Sequence, residues 1–421
     1  MSDPATTALL LGGGGARAAY QVGVLQAIAR LRREVAADAL GGPFALICGT
    51  SAGAINAAAL ACHADDFDGA VDRLVAVWQD FRAAQVYRAD APGLMRSGAQ
   101  WLTMLAFGWA LSRFRLAQPR SLLDNSPLRE LLAQMVPLER LPALLAGGQL
   151  RALAITASGY GSGDHVTFYQ AAGGAAPWVR SMRQALPARL SHEHLLASSA
   201  IPFVFPAVEL DRDGRREWFG DGSMRQIAPI APAIHLGAQR VLVIGAGRMN
   251  EPPGRRVDSA GYPSLAQIGG HALSGIFLDA LMLDIERLER INRTLALLPD
   301  DQRRATPLRP VQALVIAPSR RLDDLAAEHI DALPRPVRVM LGGVGVRSRR
   351  SRHDPRGSAL ASYLLFESRH TRALIALGRA DTLARREEVR AFFGWPQRRV
   401  SPACSTRTPT AGGSAGPCAG S

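Results

Sequence analysis

The sequence predicts an α/β fold whose central sheet is mostly parallel. A buried strand, a tight glycine-rich turn and an apolar helix follow one another twice near the start of the chain. Residues 8–11 lead into GGGG and a helix over 18–34, and residues 44–48 lead into GTSAGA and a helix over 52–61. Because neighbouring parallel strands need crossover connections, this pattern indicates parallel strands joined by helices.

Apolar periodicity predicts the remaining elements and the domain organisation. Strands are expected at 151–157, 165–169, 207–210, 240–245 and 311–317. One helix is expected to begin at a cap at Asp65 or Asp66 and to end at about residue 81, and two short helices are expected within 121–146. Further helices are expected over 264–297, 321–332 and 359–394. We therefore expect a flexible N-terminus (1–7), a main α/β domain (8–247), a mainly helical C-terminal extension (248–395) and a disordered, low-complexity tail (396–421).

Composition excludes several classes of function. The 421 residues carry a formal net charge of +13, and every basic residue is Arg because the chain contains no Lys. A Walker A loop and Schiff-base chemistry both need Lys, so neither is expected. The densest basic run lacks any zinc-finger, helix-turn-helix or RNA-binding pattern, so no nucleic-acid partner is expected; it comprises Arg347, Arg349, Arg350, Arg352 and Arg356.

The four cysteines show no metal-ligand spacing, so neither a metal nor a cofactor is expected. Free thiols indicate a reducing compartment. The N-terminus has no charged leader, and the longest uncharged apolar stretch, 101–111, is too short to span a bilayer. We expect a cytoplasmic protein, with contact at the inner membrane surface as a further expectation.

The first candidate for chemistry is the G-x-S-x-G sequence that runs from Gly49 to Gly53. It lies between a predicted buried strand and a predicted apolar helix, which is the setting of a nucleophile elbow. Glycines on both sides let the chain turn sharply and expose Ser51 at the helix N-terminus, where the helix dipole favours developing negative charge. The alternative is a small-residue turn with Ser51 as an ordinary helix cap.

The second candidate is the glycine loop GGGGAR (12–17). Its backbone N–H groups can point at an anion, here the oxyanion of a tetrahedral intermediate. The competing interpretation, a dinucleotide site, requires G-x-G-x-x-G and fits poorly. Arg17 is expected to pin the loop or to assist the oxyanion, and an ordinary surface Arg is the alternative.

A serine nucleophile needs a base. Ser51 follows only the second strand, too early for the Ser–acid–His order of an α/β-hydrolase, and none of the nine histidines has a triad setting. A carboxylate is the remaining common base, and Asp221, between Gly220 and Gly222, is the candidate. Alone, this sequence would indicate a surface Asp-Gly turn.

The chain contains four characteristic blocks in this order: GGGGAR, GTSAGA, LASSAIPFVFP (196–206) and GDGSMRQIAP (220–229). With these blocks it resembles the bacterial patatin-like phospholipases over about residues 8–247. The resemblance implies a three-layer α/β/α core and a Ser–Asp dyad without His. Ser51 corresponds to the nucleophile and Asp221 to its base, with an oxyanion hole formed by Gly13, Gly14, Gly15 and the N–H of Ala52. Arg17, Gly49, Gly53 and Gly222 would support the site.

Two positions depart from the family pattern. Ala18 replaces the usual glycine after the Arg, and Ser223 replaces the second glycine of Asp-Gly-Gly. Both are expected to restrict the backbone, since a glycine in these places can adopt a positive φ.

The predicted function is a lipid acyl ester hydrolase of the phospholipase A or lysophospholipase type that forms an acyl-enzyme. The expected partner is a phospholipid or another acyl lipid, and oligomeric state is not predicted. Residues 100–115, with apolar side chains between arginines, predict an interfacial helix at a membrane surface or, equally, a core helix or lid. Two alternatives stay open, a non-catalytic lipid- or partner-binding regulator with a patatin-like fold and a nucleotide-binding α/β protein.

Overall fold

In the computed structural model, the strands form one mixed sheet with helices on both faces. The structure describes residues 5–35, 41–88, 120–245, 247, 262–346 and 358–396. Within these, the strands are β1 Thr7–Leu11, β2 Leu46–Thr50, β3 Ala152–Gly159, β4 His165–Ala171, β5 Trp178–Arg180, β6 Arg183–Pro187, β7 Val208–Arg212, β8 Arg215–Asp221, β9 Arg240–Ile244 and β10 Gln312–Ile316.

Five neighbouring strands, in the order β10-β9-β1-β2-β3, run parallel. Beyond β3 the sheet is mixed, because β3 pairs antiparallel with β4 and β8, β5 with β6 and β7 with β8, while β4 and β6 run parallel. The prediction of an α/β fold with a parallel centre is confirmed.

The helices lie mainly where periodicity predicts them. Asp66 caps the helix at 67–79 by accepting from the backbone N–H of Gly69 at 2.9 Å, and Pro127 stands in the first turn of the helix at 126–135. The helices are α1 Ala19–Arg33, α2 Ala52–Ala61, α3 Phe67–Gln79, α4 Ser126–Met135, α5 Leu141–Ala146, α6 His192–Ser198, α7 Ala231–His235, α8 Leu265–Leu297, α9 Asp300–Ala305, α10 Leu322–Ala327, α11 Arg335–Gly343, α12 Ser358–Leu364, α13 Ser368–Ala384 and α14 Arg386–Phe393.

Strand β1 shows why the fold has three layers. Successive side chains of a strand point to opposite faces, so Leu9 and Leu11 enter the hydrophobic core on one face, while Ala8 and Leu10 enter a second core on the other. All four are buried. The predicted three-layer core is confirmed, since both faces of the sheet are covered.

The C-terminal region is mainly helical, as predicted, and it shares the same sheet. Strand β10 extends the parallel edge beside β9. Helix α13 packs on α1, where the hydroxyl of Tyr20 donates to Asp381 at 3.0 Å, and the buried Arg390 of α14 pairs with Glu34 at 2.7 Å. The domain boundary at 247 stays a prediction.

Helix α8 is, in the described part of the chain, the one helix long and apolar enough to cross a membrane by length and composition alone. A quarter of its most apolar stretch is buried. A core helix of a soluble protein passes the same test, so this is weak evidence of a span. The second half of α8 is tied to the fold, because Asp284 accepts from the backbone N–H of Ile230 at 2.9 Å.

Several predicted segments lie outside the described residues. These are the proposed interfacial helix at 100–115, most of the polar break at 247–263, the arginine run from Arg347 to Arg356, and the tail from residue 397 onward.

Candidate active site

Ser51 occupies a sharp turn between β2 and α2. Its φ of 55° and ψ of −133° are unusual for a residue with a side chain. Such conformations cost on the order of 1–3 kcal/mol and persist only where the surroundings enforce them. The side chain makes no capping hydrogen bond to the helix, so the alternative of an ordinary helix cap is wrong.

Gly49 and Gly53 are required by close packing rather than by their own φ values. A Cβ at Gly49 would lie 2.5 Å from the Cα of Ala54, and one at Gly53 would lie 2.4 Å from the carbonyl oxygens of Leu11 and Gly12. The absence of side chains therefore lets α2 start directly against the end of β1.

Asp221 reaches Ser51 because β2 and β8 share one edge of β3. The other edge of β3 is occupied by β4 over Ala152 to Ser158. Thr50, the last residue of β2, is in register with Thr156, and Asp221, the last residue of β8, is in register with the next residue, Ala157. The two strands therefore meet end to end, which brings Ser51 beside Asp221, 170 residues away in sequence.

The Asp221 carboxylate is fully buried and held on both oxygens. Ser51 Oγ donates to Oδ2 at 2.5 Å, and the backbone N–H of Ser223 donates to Oδ1 at 2.8 Å. Burial raises the pKa of Asp221 from its ordinary 3.8 to about 6, and the hydrogen bonds from Ser51 and Ser223 oppose that rise. The carboxylate is therefore more basic than an exposed one.

The two departures from the family pattern do not strain the backbone. Ala18 has the helical angles φ −63° and ψ −14°, and Ser223, in a 3-10 turn at 222–225, is not among the residues with positive φ. The expected restriction is therefore wrong for both. The glycine that is needed is Gly222, where a Cβ would lie 2.1 Å from the carbonyl oxygen of Thr156.

Ser198, at the end of α6, fixes the backbone of the elbow. Its hydroxyl accepts from the backbone N–H of Ser51 at 2.8 Å and donates to the carbonyl of Thr156 at 2.6 Å. All three residues are buried. The sequence motifs assign no role to the block that contains Ser198, although two adjacent serines in an apolar run are a signal of buried hydrogen bonding.

We expect Ser198→Ala to lower the free energy of unfolding by about 1–3 kcal/mol, because it leaves a buried N–H and a buried C=O without their shared partner. Ser199→Ala is the matched control. The Ser199 hydroxyl donates to the carbonyls of Leu195 and Leu196, and the Leu195 carbonyl also accepts a helix hydrogen bond, so its loss costs less. Chemical denaturation of both variants checks this, and equal losses would contradict it.

The glycine loop lies between β1 and the 3-10 turn at 15–18, and a buried polar network holds it. Gln21 Nε2 donates to the carbonyl of Gly12 at 2.7 Å, and Asn56 Nδ2 donates to Gln21 Oε1 at 3.0 Å. Gly15 has a φ of 55°, and a Cβ there would lie 2.3 Å from the carbonyl oxygen of Tyr363. Sequence reasoning missed Gln21 and Asn56, although polar residues in apolar helices signal such networks.

Arg17 is buried and points to the C-terminal region. Its Nε donates to Ser362 Oγ at 2.8 Å, its Nη2 pairs with Asp323, and its guanidinium lies 3.9 Å from the ring centroid of Tyr363. The alternative of a surface Arg is therefore wrong. The contacts fit the expectation that Arg17 pins the loop.

An apolar cavity lies beside Ser51. Gly15 and Ala52 line it together with Ser51, whereas Gly13 and Gly14 are buried and are not among its described lining residues. Apart from Ser51 and Ser199, the rest of the described lining is apolar: Ile55, Val77, Trp78, Phe81, Val86, Leu128, Leu131, Met135, Ile201, Phe205 and Phe366. A cavity with this lining is typical of a site for an apolar ligand.

The histidines considered in the sequence have other contacts. His192 Nε2 lies 2.9 Å from the carbonyl of Val136, His194 Nδ1 lies 2.9 Å from Ser191 Oγ, and His235 stacks on Trp178. Across the described ranges, no group of three His, Cys, Asp or Glu side chains is placed to hold a metal ion.

The family model of patatin-like phospholipases matches residues 9–234. No curated protein matches the chain. The chain is distantly similar to VipD from Legionella pneumophila, with 13% identity over 89% of this chain and 67% of that one and a TM-score of 0.29. It is also distantly similar to the structure of full-length SpcU with full-length ExoU from the type III secretion system of Pseudomonas aeruginosa, with 14% identity over 89% of this chain and 71% of that one and a TM-score of 0.24.

Proposed function

The chain belongs to the patatin-like phospholipase family, and from that premise we propose that it hydrolyses lipid acyl esters with Ser51 as nucleophile and Asp221 as general base. The observation that carries the proposal is the direct hydrogen bond of 2.5 Å between Ser51 Oγ and Asp221 Oδ2. Its length is that of a hydroxyl donating to a carboxylate. Ser51 Oγ therefore already donates its proton in a hydrogen bond to the carboxylate that is proposed to accept it.

In the proposed reaction, Asp221 takes the Ser51 proton while Oγ attacks the ester carbonyl carbon. The oxyanion is stabilised by the N–H groups of Gly13, Gly14, Gly15 and Ala52, and one such donor typically contributes about 3 kcal/mol. The C–O bond then breaks, Asp221 returns the proton to the leaving alcohol, and an acyl-Ser51 ester is left. A water that gives its proton to Asp221 attacks this ester, and the fatty acid departs as Ser51 regains the proton.

The cavity supports an acyl chain as the group bound next to Ser51. No charged side chain is among its described lining residues. A charged head group would lose its hydration there without a partner, so it stays outside while the acyl chain is buried. We infer that recognition acts mainly on the acyl chain.

The test is a defined lipid panel combined with a fluorophosphonate probe. We expect fatty acid release from at least one phospholipid, lysophospholipid or glyceride, read by mass spectrometry, and covalent labelling of the peptide that contains Ser51. No released fatty acid together with no labelling of Ser51 would overturn the proposal and favour the non-catalytic regulator.

The ratio kcat/KM is expected to rise with pH through about 6 and then level off. Asp221 must be ionised to take a proton, and burial raises its pKa to about 6. Hydrolysis of a soluble ester should be measured from pH 5 to 8, with circular dichroism at each pH as the control for folding. A rate that falls across this range would contradict Asp221 as the base.

A further inference from the structure

Residues 358–367, here called the closing segment, lie outside the family match at 9–234 but contact both sides of the candidate site. The segment consists of α12 and the three residues that follow it. On one side, the carbonyl of Tyr363 packs against Gly15 so closely that a Cβ on Gly15 would lie 2.3 Å from its oxygen. The glycine loop therefore rests on the closing segment.

A buried charge fastens the segment in place. Arg17 is 3% exposed, donates to Ser362 at 2.8 Å and lies over the ring of Tyr363. Asp323 neutralises its charge. Because a buried guanidinium is costly without its partners, these contacts favour a single position for the segment.

On the other side, Phe366 forms part of the cavity wall. Its side chain is buried, and its ring centroid lies 5.6 Å from that of Phe81, 6.3 Å from that of Tyr87 and 6.4 Å from that of Trp78. The hydroxyl of Tyr87 donates to the carbonyl of Leu364 at 3.0 Å, and the backbone N–H of Ala83 donates to Glu367 at 3.3 Å. Hydrogen bonds on both sides of Phe366 therefore hold its ring against the cavity.

We propose that Phe366 is a specificity-determining residue that limits the length of the acyl chain the cavity accepts. The inference rests on the proposed function, since it takes the cavity to be the acyl site. Protein interiors are closely packed, so a smaller side chain here leaves space that a longer ligand can fill. Each further buried methylene is expected to tighten binding about fourfold.

The test compares Phe366→Leu with Phe392→Leu in the full chain. Phe392, in α14, is also buried but is not among the described residues that line the cavity. Binding of a series of saturated straight-chain fatty acids is measured by calorimetry, and kcat/KM is measured on the matching esters. We expect the best-bound chain to be longer for Phe366→Leu and unchanged for Phe392→Leu. An unchanged optimum for Phe366→Leu, or the same shift in both variants, overturns the proposal.

The binding measurement separates this inference from the proposed function. If the wild-type protein binds fatty acids but hydrolyses no ester, the proposed function fails and the shift in binding still decides the role of Phe366. If it binds no fatty acid of any length, the cavity is not an acyl site and the inference is overturned. Should Phe366→Leu fail to fold, Phe366→Met keeps an apolar side chain of similar length, and a shift in the same direction is expected.

Discussion

Asp221→Asn is expected to reduce ester hydrolysis on the order of 10⁴-fold and, at pH 8, to make the folded protein more stable. Asn has the shape of Asp and can still accept from the backbone N–H of Ser223, but it cannot take a proton from Ser51. In the proposed reaction, Ser51 is then left as a weakly reactive hydroxyl. The loss is read as kcat/KM on a soluble ester.

The gain in stability follows from the direction of the pKa shift. The pKa of Asp221 is raised by burial from 3.8 to about 6, so the fold favours the neutral carboxyl. That contribution is fully present below pH 3.8 and is lost as the pH rises through 6. It amounts to about 3 kcal/mol, from 1.36 kcal/mol for each pKa unit. The Asn variant has no such loss.

Chemical denaturation of the wild type and Asp221→Asn at pH 5 and pH 8 checks this prediction. Between pH 5 and pH 8, the free energy of unfolding of the variant should rise relative to that of the wild type. The contributions of other titrating groups are the same in both proteins and cancel in this difference. If the variant were the less stable protein at pH 8, the hydrogen bonds to the carboxylate would outweigh its burial, and the pKa of Asp221 would not be raised in the folded protein.

Ser51→Ala is expected to lower hydrolysis on the order of 10⁶-fold, since no other group replaces the attacking oxygen. Ser51→Gly should be equally inactive but more stable than Ser51→Ala by about 1 kcal/mol. The reason is the φ of 55° at this position, which glycine adopts without strain.

Both variants remove the hydroxyl that donates to Asp221. The difference in stability between Ser51→Ala and Ser51→Gly therefore reports the backbone strain at position 51. Denaturant midpoints and slopes of the two proteins give the difference. An Ala variant as stable as the Gly variant would show an unstrained elbow, and an Ala variant with wild-type hydrolysis would remove Ser51 from the mechanism.

The parallel centre of the sheet could be predicted from the sequence because strands buried on both faces are continuous apolar runs. Residues 8–11 and 240–245 are such runs, and they correspond to the neighbours β1 and β9. The strand β8, which carries Asp221, was not predicted. Most of its first residues are charged and exposed, so apolar periodicity does not mark it.

A signal for β8 was nevertheless present. Asp213 and Gly214 join β7 to β8 and both have positive φ, 54° and 77°, as a two-residue type I′ hairpin turn requires. The Asp-Gly pair after the predicted strand at 207–210 therefore indicates a second strand, and that strand leads to Asp221.

The residues of the candidate site also differ in whether the sequence could predict them. Ser51 and Asp221 could be named because short motifs surround them. Phe366 could not, since 315 residues separate it from Ser51 and no local pattern links a phenylalanine to a distant cavity. The helix expected at 100–115, at a membrane surface or as a core helix or lid, and the cytoplasmic location stay predictions.

The end-to-end meeting of β2 and β8 on one edge of β3 has a consequence during synthesis. A nascent chain that has emerged only to the middle of the sheet carries the serine without its carboxylate. The hairpin that delivers Asp221 must be translated and docked first, and the glycine loop gains its support from Tyr363 later still. On the proposed mechanism, ester hydrolysis therefore cannot begin until most of the polypeptide has left the ribosome.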